Sequence, residues 1–579
     1  MTDAFHEPLN QYRDIYREAF LRLVDDSFAK LTEESGVDVE ANGKTVSAIR
    51  SLAYEIRRER RRRAAKGWLA VLLLAMALVG GILGWHPDGQ MLVPIDCGAG
   101  GDFSPLPLAV SVVAVFLDVC LILPSYVRSC GRIAEMEQDR RRLTDEAWCQ
   151  MAPLNDLYDW NLTTKMVQEI VPQLKFDRYV PASRLDEFLG EYGWRGDFGD
   201  ERSMTFVQSG EVNGNPFVFC EARRMSWGEK SYSGSLEITW TERTRDLDGK
   251  LRRIVRHQTL TASVEKPCPR YKGEAFLVYG NSAAPGLVFS RKPSELSGLD
   301  DGFFNRLKLC REIRRLESYS RDLTDGSSYT IMSNQEFEAL FHATDRNDEV
   351  GFRLLFTPIA QTQMLALLKD KDVGFGDDFA FFKDHCINVI WAKHLRDYSL
   401  DSNPEQFRNF SYEDARIQFK AINEAKFKSL YFALAPLLTI PLYQEPKPAH
   451  SESCDGACGD ASCWEHESIA NFIGEDVFRH PQSITRNMLK TSIVSRSDGV
   501  STVSVTAHGY RGEKRVDHVR VYGGDGEWHS VPVPWTEYLP VSRTSMIAVA
   551  EKGGIGKPPL KEGEIWRRSI VISLKGEGW

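Results

Sequence analysis

The residues best suited to chemistry form a short cluster in the C-terminal part of the chain. Cys454, Cys458, Cys463 and His466 place three thiols and one imidazole within thirteen residues. Structural Zn²⁺ takes four such ligands in a tetrahedron, so the cluster predicts one structural zinc as its cofactor. The spacing matches no standard zinc finger, and His450 is a substitute fourth ligand. A cysteine-bearing loop without metal and a redox role stay open as alternatives.

A single carboxylate in an apolar stretch is the second chemical feature. Asp118 lies near the middle of residues 106–127, which contain no Lys or Arg. A carboxyl group within a bilayer is energetically expensive and usually faces protein or water. One interpretation is a proton or ion site, and the other is a protonated or hydrogen-bonded Asp between helices. A lone acid in a two-helix hairpin makes a poor pathway, which favours the second interpretation.

The sequence contains no recognised catalytic motif. Walker A, GxSxG, HExxH and a Rossmann fingerprint after a strand are all absent. The run GGIGK at 553–557 lacks the spacing and the Ser/Thr of a phosphate loop and precedes two prolines. His385 and His394 are single histidines beside a strand, a setting typical of structural or solvated side chains. No catalytic residue is therefore assigned.

Asp118 lies in the second of two apolar stretches, and the pairing of these stretches would determine its surroundings. Residues 67–85 and 106–127 are each close to the ~20 residues that cross the hydrocarbon core as a helix. The segment between them, 86–105, contains three Asp and no Lys or Arg. Residues 67–127 are therefore predicted to form a transmembrane helical hairpin whose connecting loop lies outside the membrane.

Basic residues flank both apolar stretches and set the predicted orientation. They are Arg57, Arg58, Arg60, Arg61, Arg62, Arg63 and Lys66 before the first stretch, and Arg128 and Arg132 after the second. Short-loop Lys/Arg asymmetry sets topology, so we expect a two-pass protein of the bacterial inner membrane with both termini cytoplasmic. The same residues are predicted to contact anionic headgroups of the bilayer. The GxxxG spacing of Gly80 and Gly84 permits close helix contact, including a homo-oligomer through the hairpin.

Composition limits the classes of partner. The chain has 579 residues and a net charge of −9 that is spread over its polar parts, which argues against a nucleic-acid partner. Most of the eleven cysteines stand singly, as in a reducing compartment. The length allows two or three domains beside the hairpin.

Hydrophobic periodicity predicts an α+β membrane protein. Strands grouped without βαβ alternation, and the turn signal Asn213-Gly214, indicate a cytoplasmic antiparallel α+β domain. The apolar run 430–443 is too short to span a bilayer, so we expect it to be buried or interfacial. The predicted divisions are N-terminal amphipathic helices and basic stalk (1–66), transmembrane hairpin (67–127), helical stalk (128–175), α+β domain (176–400), helix and apolar segment (401–449), Cys/His loop (450–467) and β-rich domain (468–579).

Several short patterns accompany this layout. They are Phe176, Tyr179 and Phe188, the turn Gly199-Asp200, GEVNGNPFVFCE at 210–221, and EFEALFHATDRNDEVGFRLLFTPIAQTQM at 336–364. In these patterns the chain resembles the bacterial membrane-anchored family named domain of unknown function 3137, over roughly residues 60–400. The long hairpin near 240–270 and the C-terminal part depart from the family. The family has no established activity, so the resemblance implies no catalytic residue. It implies a fold-defining role for Glu336, Phe337, Phe341, Asp345 and Pro358.

These observations together predict a membrane-anchored scaffold or binding platform for an unidentified protein partner. One alternative is an accessory or subunit of a membrane transport or channel assembly, in which Asp118 matters. Another is a membrane-tethered enzyme of unrecognised type, with acids of the central domain as candidates.

Overall fold

The computed structural model describes residues 7–84, 106–194, 201–245, 251–294, 296–297, 303–321, 329–447, 460–497, 499–551 and 564–574. Its α-helices are α1 (Pro8–Gln11), α2 (Arg17–Ser35), α3 (Val39–Gly84), α4 (Leu106–Leu117), α5 (Leu123–Asn155), α6 (Leu162–Ile170), α7 (Ala182–Gly190), α8 (Phe303–Arg321), α9 (Gln335–Phe341), α10 (Glu349–Leu355), α11 (Pro358–Lys369), α12 (His394–Asp397), α13 (Tyr412–Leu438), α14 (Cys463–Ile473) and α15 (Glu475–Phe478). One π-helical turn, Tyr12–Tyr16, precedes α2, and another, Asp118–Ile122, joins α4 to α5.

The strands form two antiparallel sheets. They are β1 (Leu174–Phe176), β2 (Arg202–Val212), β3 (Asn215–Arg245), β4 (Leu251–Gly280), β5 (Val288–Arg291), β6 (Phe379–Asp384), β7 (Ile387–Ala392), β8 (Met488–Ser497), β9 (Val500–Tyr522), β10 (Trp528–Glu551), β11 (Glu564–Arg567) and β12 (Ile570–Leu574). The first sheet has the order β1-β2-β3-β4-β7-β6-β5 and the second the order β11-β12-β10-β9-β8. The mixed α+β class and the antiparallel pairing are confirmed.

The chain forms two compact units. The hairpin unit comprises Asp25–Tyr158 and Pro404–Ala421, and the two-sheet unit comprises Met1–Val24, Asp159–Asn403 and Ile422–Trp579. In the hairpin unit, α3 and α5 run antiparallel, and an aromatic cluster packs at one end. Phe28 and Tyr158 each contact Phe419, with ring centroids 5.4 and 5.8 Å away.

The turn between β2 and β3 has the conformation that its sequence predicts. Val212 pairs with Asn215, which leaves the two-residue loop Asn213-Gly214. Both loop residues have positive φ, 50° and 83°. Asn and Gly tolerate this left-handed conformation, and such a turn matches the right-handed twist of the strands.

Helix α14 lies between the two sheets and joins their cores. Trp464 packs with Phe188 and Met204 under the first sheet. Ile469 and Ala470 pack against residues of the second sheet. The helix begins at the cap Ser462, whose hydroxyl accepts a hydrogen bond from the backbone N–H of Glu465. Because one helix supplies apolar contacts to both cores, the two sheets form a single unit.

Two long ribbons extend beyond the sheets. β3 pairs with β2 only as far as residue 224, and β4 pairs with β7 only from residue 277, so the intervening segments have only each other as sheet neighbours. β9 and β10 form a similar ribbon. An isolated two-stranded ribbon is marginally stable, and these two stabilise each other through Ile238, Leu260 and Val531. A Cβ on Gly234 would lie 2.0 Å from the carbonyl oxygen of Pro532, so only glycine permits this approach.

The structure divides the chain differently from the predicted divisions at three points. The predicted helical stalk 128–175 consists of α5, which ends two residues after Pro153, then α6 and the start of β1. The domains 176–400 and 468–579 belong to one unit, because α14 contacts both cores. The Cys/His loop 450–467 includes the first residues of α14, since Ser462 caps that helix. The apolar run 430–443, by contrast, is largely buried as expected.

Candidate functional site

The paired helices α3 and α5 hold the predicted basic residues next to the start of the first apolar stretch and the end of the second. The Lys66 ammonium donates a hydrogen bond to the Ser129 hydroxyl at 2.9 Å. A Cβ on Gly67 would lie 3.6 Å from the Tyr126 ring, so residues 67 and 126 are at the same level. The Arg63 guanidinium lies 6.0 Å from the centroid of the Tyr126 ring. The first apolar stretch therefore begins beside the end of the second, and the two run antiparallel.

The basic residues that flank the two apolar stretches, from Arg57 to Lys66 together with Arg128 and Arg132, form a basic collar. Several of them point away from the helix pair. The exposed arginines are Arg57, Arg58, Arg60, Arg61, Arg62, Arg128 and Arg132. Arg60 forms a salt bridge with Glu137 of α5, and Arg62 forms one with Glu59. The collar is therefore part helix–helix contact and part free cationic surface.

Beyond the collar, both helices expose their apolar side chains. Trp68 and Leu74 on α3 are 71% and 51% exposed, and Phe116 on α4 is 63% exposed. One helix in the described part of the chain, Val110–Asn155, is long and apolar enough to cross a membrane. The predicted second stretch lies largely within this helix. The pair of crossings is not confirmed, although the helical pairing is observed.

Asp118 occupies the first position of the π-helical turn. Its side chain is 8% exposed, and its Oδ1 has no hydrogen-bond partner among the described residues. The Leu123 N–H donates to the Asp118 carbonyl, five residues back. Pro124 explains the wide turn, because a proline ring clashes with the carbonyl four residues earlier and donates no hydrogen bond. Such turns often mark functional positions in helices.

The predicted zinc ligands lie in different settings. Cys454 and Cys458 are outside the described residues. Cys463 is the exposed first residue of α14, and the ring of His466 is fully buried with neither nitrogen hydrogen-bonded to a described residue. Burial lowers the pKa of His466 to about 4, so its imidazole is neutral. No group of three potential ligands occurs within the described part of the chain, and the zinc site stays a prediction.

A cluster of buried and half-buried ionisable side chains is the most unusual site in the two-sheet unit. Its acids are Glu221, Asp401 and Glu465, and its bases are Lys426, Arg567 and Arg568. Sequence reasoning did not identify it, because its members come from segments up to 347 residues apart, Glu221 being on β3 and Arg568 after β11. Groups of this kind are enriched at functional sites and also occur in structural ion-pair networks.

Arg568 is fully bonded within this cluster. Its guanidinium donates to the Val207 carbonyl at 2.6 Å, to the Glu465 carboxylate at 3.3 Å and to the Gln208 side chain. Glu465 also accepts from the Val180 N–H at 3.0 Å. This network connects α14 to the β11–β12 turn and to β2, so its first effect is structural.

Arg567 is bonded less completely. It donates to the Ser468 hydroxyl at 2.9 Å, and its guanidinium lies over the rings of Trp160 and Phe472. Its Nε and Nη2 are buried and have no hydrogen-bond partner among the described residues. Burial lowers its pKa, against the opposing attraction of Asp401 and the other carboxylates.

Glu221 and Lys426 titrate near neutral pH. The Glu221 carboxylate accepts from the Leu400 N–H and the Ser399 hydroxyl, both at 3.0 Å, and burial raises its pKa to about 7. The Lys426 ammonium donates to the Asp401 carbonyl at 2.6 Å, and burial lowers its pKa to about 8. A cavity of about 20 Å³ beside Lys426 and Arg568 has room for one water. Lys426 lines this cavity and can exchange a proton with such a water near neutral pH.

A separate cleft opens on the surface of the two-sheet unit. Its volume is about 180 Å³, and its lining includes Asn161 and Lys165 of α6, Phe176, Arg178 and Trp566. Lys165 pairs with Asp159 at 2.9 Å, and the Trp566 indole N–H has no partner among the described residues. Polar groups and two aromatic walls in a cleft of this size suit a small polar molecule.

The single histidines beside β7 have structural settings. His394 stacks on Phe375 at 4.1 Å, and its two ring nitrogens contact the Asp378 carboxylate and the Ser429 carbonyl. His385 is exposed beside Asp384. Neither ring faces a reactive partner, which agrees with the interpretation from sequence.

Comparison of the chain with protein-family models, with curated proteins and with solved structures found no match. The resemblance to domain of unknown function 3137 therefore stays a prediction. The side chains quoted for it occupy fold positions: Phe337 and Phe341 are buried, and Pro358 begins α11.

Proposed function

We propose that the chain is a membrane-anchored binding platform whose hairpin crosses the bilayer twice, through residues 67–85 and 106–127. The observation that carries this proposal is the exposed apolar surface of both helices above the basic collar. Soluble proteins rarely expose apolar patches larger than a few hundred Å². A lipid environment explains why so many large apolar side chains on paired helices face outward.

The dimensions support two crossings. Residues 67–84 are helical and would extend about 27 Å at 1.5 Å per residue, close to the thickness of a hydrocarbon core. Because residues 67 and 126 are at the same level, the second stretch would end at the depth at which the first begins. The collar arginines would then lie among the headgroups, where each adds about 1 kcal/mol of attraction to an anionic leaflet.

In this proposal both termini and the two-sheet unit are cytoplasmic, and the two-sheet unit binds the partner. The cleft beside α6 is its candidate ligand site, and a protein partner remains to be identified. The hairpin also offers a surface for a homo-oligomer, and nucleic acid is not proposed as a partner. The buried charged cluster has a structural role in this proposal: it connects α14 to β2 and to the β11–β12 turn.

Reporter fusions test the topology. A phosphatase that is active only outside the cytoplasm should be active when fused after Gly98 and inactive when fused after Lys175 or at the C-terminus. Activity of the C-terminal fusion would contradict two crossings. Inactivity after Gly98, with the fusion protein produced at normal levels, would contradict any crossing by the first helix.

A second candidate, a subunit of a membrane transport assembly, is favoured by Asp118 alone. Its carboxyl lies about 12 Å along the helix axis from the level of Tyr126, which is within the proposed hydrocarbon layer. Asp118→Asn retains hydrogen bonding but cannot carry a proton, whereas Asp118→Leu removes both. If Asp118 only connects helices, Asn should leave membrane assembly near normal and Leu should weaken it by about 1 kcal/mol. Complete loss of a cellular phenotype with Asn would favour transport.

A further inference from the structure

The far end of the β3–β4 ribbon carries two facing arginines. Arg243 and Arg253 lie directly opposite each other on neighbouring strands. Like charges in this position repel, so the pair destabilises the ribbon unless an anion lies near it. Both side chains are exposed, and neither forms an ion pair with a described residue. On the opposite face, by contrast, Arg256 is paired with Glu242 at 3.1 Å.

Two aliphatic side chains share the face of these arginines. Because side chains alternate along a strand, Leu251, Arg253 and Val255 point to the same side of β4. Leu251 is 67% exposed and Val255 is 55% exposed. Arg243, Leu251, Arg253 and Val255 therefore form a cationic and apolar surface, the tip patch.

The second ribbon stops short of the tip patch. The Gly524 N–H, in the turn between β9 and β10, donates to the Gln258 side chain at 2.7 Å. Residues 251–257 of β4 lie beyond that level. Tyr522 and Trp528 flank the turn on the same end of the paired ribbons, both exposed, with ring centroids 5.4 Å apart.

We propose that the tip patch binds the anionic headgroups of a lipid bilayer, with Leu251 and Val255 entering the interfacial region. The charge of the patch is complementary to phosphate, and an anion between Arg243 and Arg253 would remove their repulsion. The patch is a protruding end of a ribbon, which fits a deformable surface better than a matching protein pocket. Exposed Trp and Tyr side chains are typical of membrane–water interfaces, and Tyr522 and Trp528 occur at the same end, on the outward face of the second ribbon.

The test uses the full chain held in zwitterionic nanodiscs and vesicles of either phosphatidylcholine alone or phosphatidylcholine with phosphatidylglycerol. Vesicle flotation should recover the chain with the anionic vesicles and not with the zwitterionic ones. Arg243→Glu converts the repelling pair into a cross-strand ion pair, so the ribbon should stay folded. It changes the patch by two charges, and binding to anionic vesicles should fall roughly 25-fold.

Matched controls separate the tip from other basic surfaces. Arg314→Glu on α8 makes the same charge change at another exposed arginine and should leave flotation unchanged. The hairpin collar is intact in both variants. Leu251→Ser with Val255→Ser should weaken binding while retaining its salt dependence. Equal flotation with both kinds of vesicle, or an equal loss with Arg314→Glu, would overturn the proposal. Binding of an acidic polypeptide at the tip without vesicle binding would overturn it in favour of a protein partner.

Discussion

The two units depart from the usual distribution of side chains in opposite ways. The hairpin unit exposes large apolar side chains, with Leu74 51% and Phe116 63% exposed. The two-sheet unit buries charged ones, including Arg567 and Arg568. A contiguous exposed apolar surface and fully buried charged side chains are both uncommon in soluble proteins. The first is explained by a surrounding that is itself apolar, and the second by partners within the chain, so the two regions should respond differently to the same kind of substitution.

The largest expected contrast comes from an arginine placed at two equally exposed leucines. Leu74→Arg puts a charge near the centre of the first apolar stretch, where insertion costs about 2.5–3.5 kcal/mol. Leu354→Arg changes a residue of α10 that is 54% exposed and should have little effect. We expect only Leu74→Arg to release the chain from membranes washed with alkaline carbonate. Equal retention of both variants would mean that the first helix does not contact lipid.

The buried cluster should be sensitive to loss of one partner. Glu465→Gln leaves Arg568 without its carboxylate, and breaking a buried pair costs about 3 kcal/mol of unfolding free energy. Glu537→Gln removes the exposed partner of Arg515 and should have a much smaller effect, because an exposed ion pair is screened by solvent. Urea unfolding of the detergent-solubilised full chain, followed by tryptophan fluorescence, measures both. Similar midpoints for the two variants would show that the cluster is not a buried ion-pair network.

The pH dependence of stability sharpens the same comparison. The pKa of Glu221 is raised from 4.5 to about 7 by burial, so the folded chain retains a proton that the unfolded chain releases. The Glu221 contribution to stability is therefore fully present below about pH 4.5 and is lost as pH rises toward 7. Glu221→Gln should reduce the change of the unfolding midpoint with pH between about pH 4.5 and 7. An unchanged slope would show that Glu221 is ionised at all these pH values.

The smallest expected effect concerns the predicted zinc. If Cys454, Cys458, Cys463 and His466 bind it, the full chain purified under reducing conditions should contain about one zinc per chain. Cys458→Ser should lower that content and slightly lower the melting temperature, because metal binding contributes to folding. Cys310→Ser, at an exposed cysteine of α8, is the matched control. Much less than half a zinc per chain in the unmodified protein would end the zinc hypothesis.

Local patterns were predicted well from the sequence, and long-range ones were not. The apolar stretches, the basic collar and the Asn213-Gly214 turn depend on neighbouring residues, and the structure has the expected helices and turn. Within the predicted β-rich domain, the segment IWRRSIVISLK is interrupted, because Arg568 and Ser569 form a two-residue turn with φ of 50° and 68°. Such turns usually contain Asn or Gly, so no local signal marked it. The two adjacent charged residues Arg567 and Arg568, within an otherwise apolar segment, were the available sign of an interruption.

The packing of the two sheets into one unit could not be predicted from the sequence either. Helix α14 begins where a cysteine-rich loop was expected, and its residues Glu465 to Ala470 are buried although four of the six are polar. Their partners, such as Arg568 and Met204, are about 100 and 260 residues away. Periodicity within one segment cannot identify such partners.

Maleimide labelling of two native cysteines tests the membrane-anchor account most directly. Cys120 and Cys149 are both exposed, but Cys120 lies within the proposed crossing and Cys149 lies beyond the collar on α5. In inside-out membrane vesicles, a membrane-impermeant maleimide should label Cys149 at least about tenfold faster, because the reactive thiolate cannot form in hydrocarbon. After denaturation in SDS, mass spectrometry of the two peptides should find similar labelling. Equal rates in intact vesicles would contradict the account.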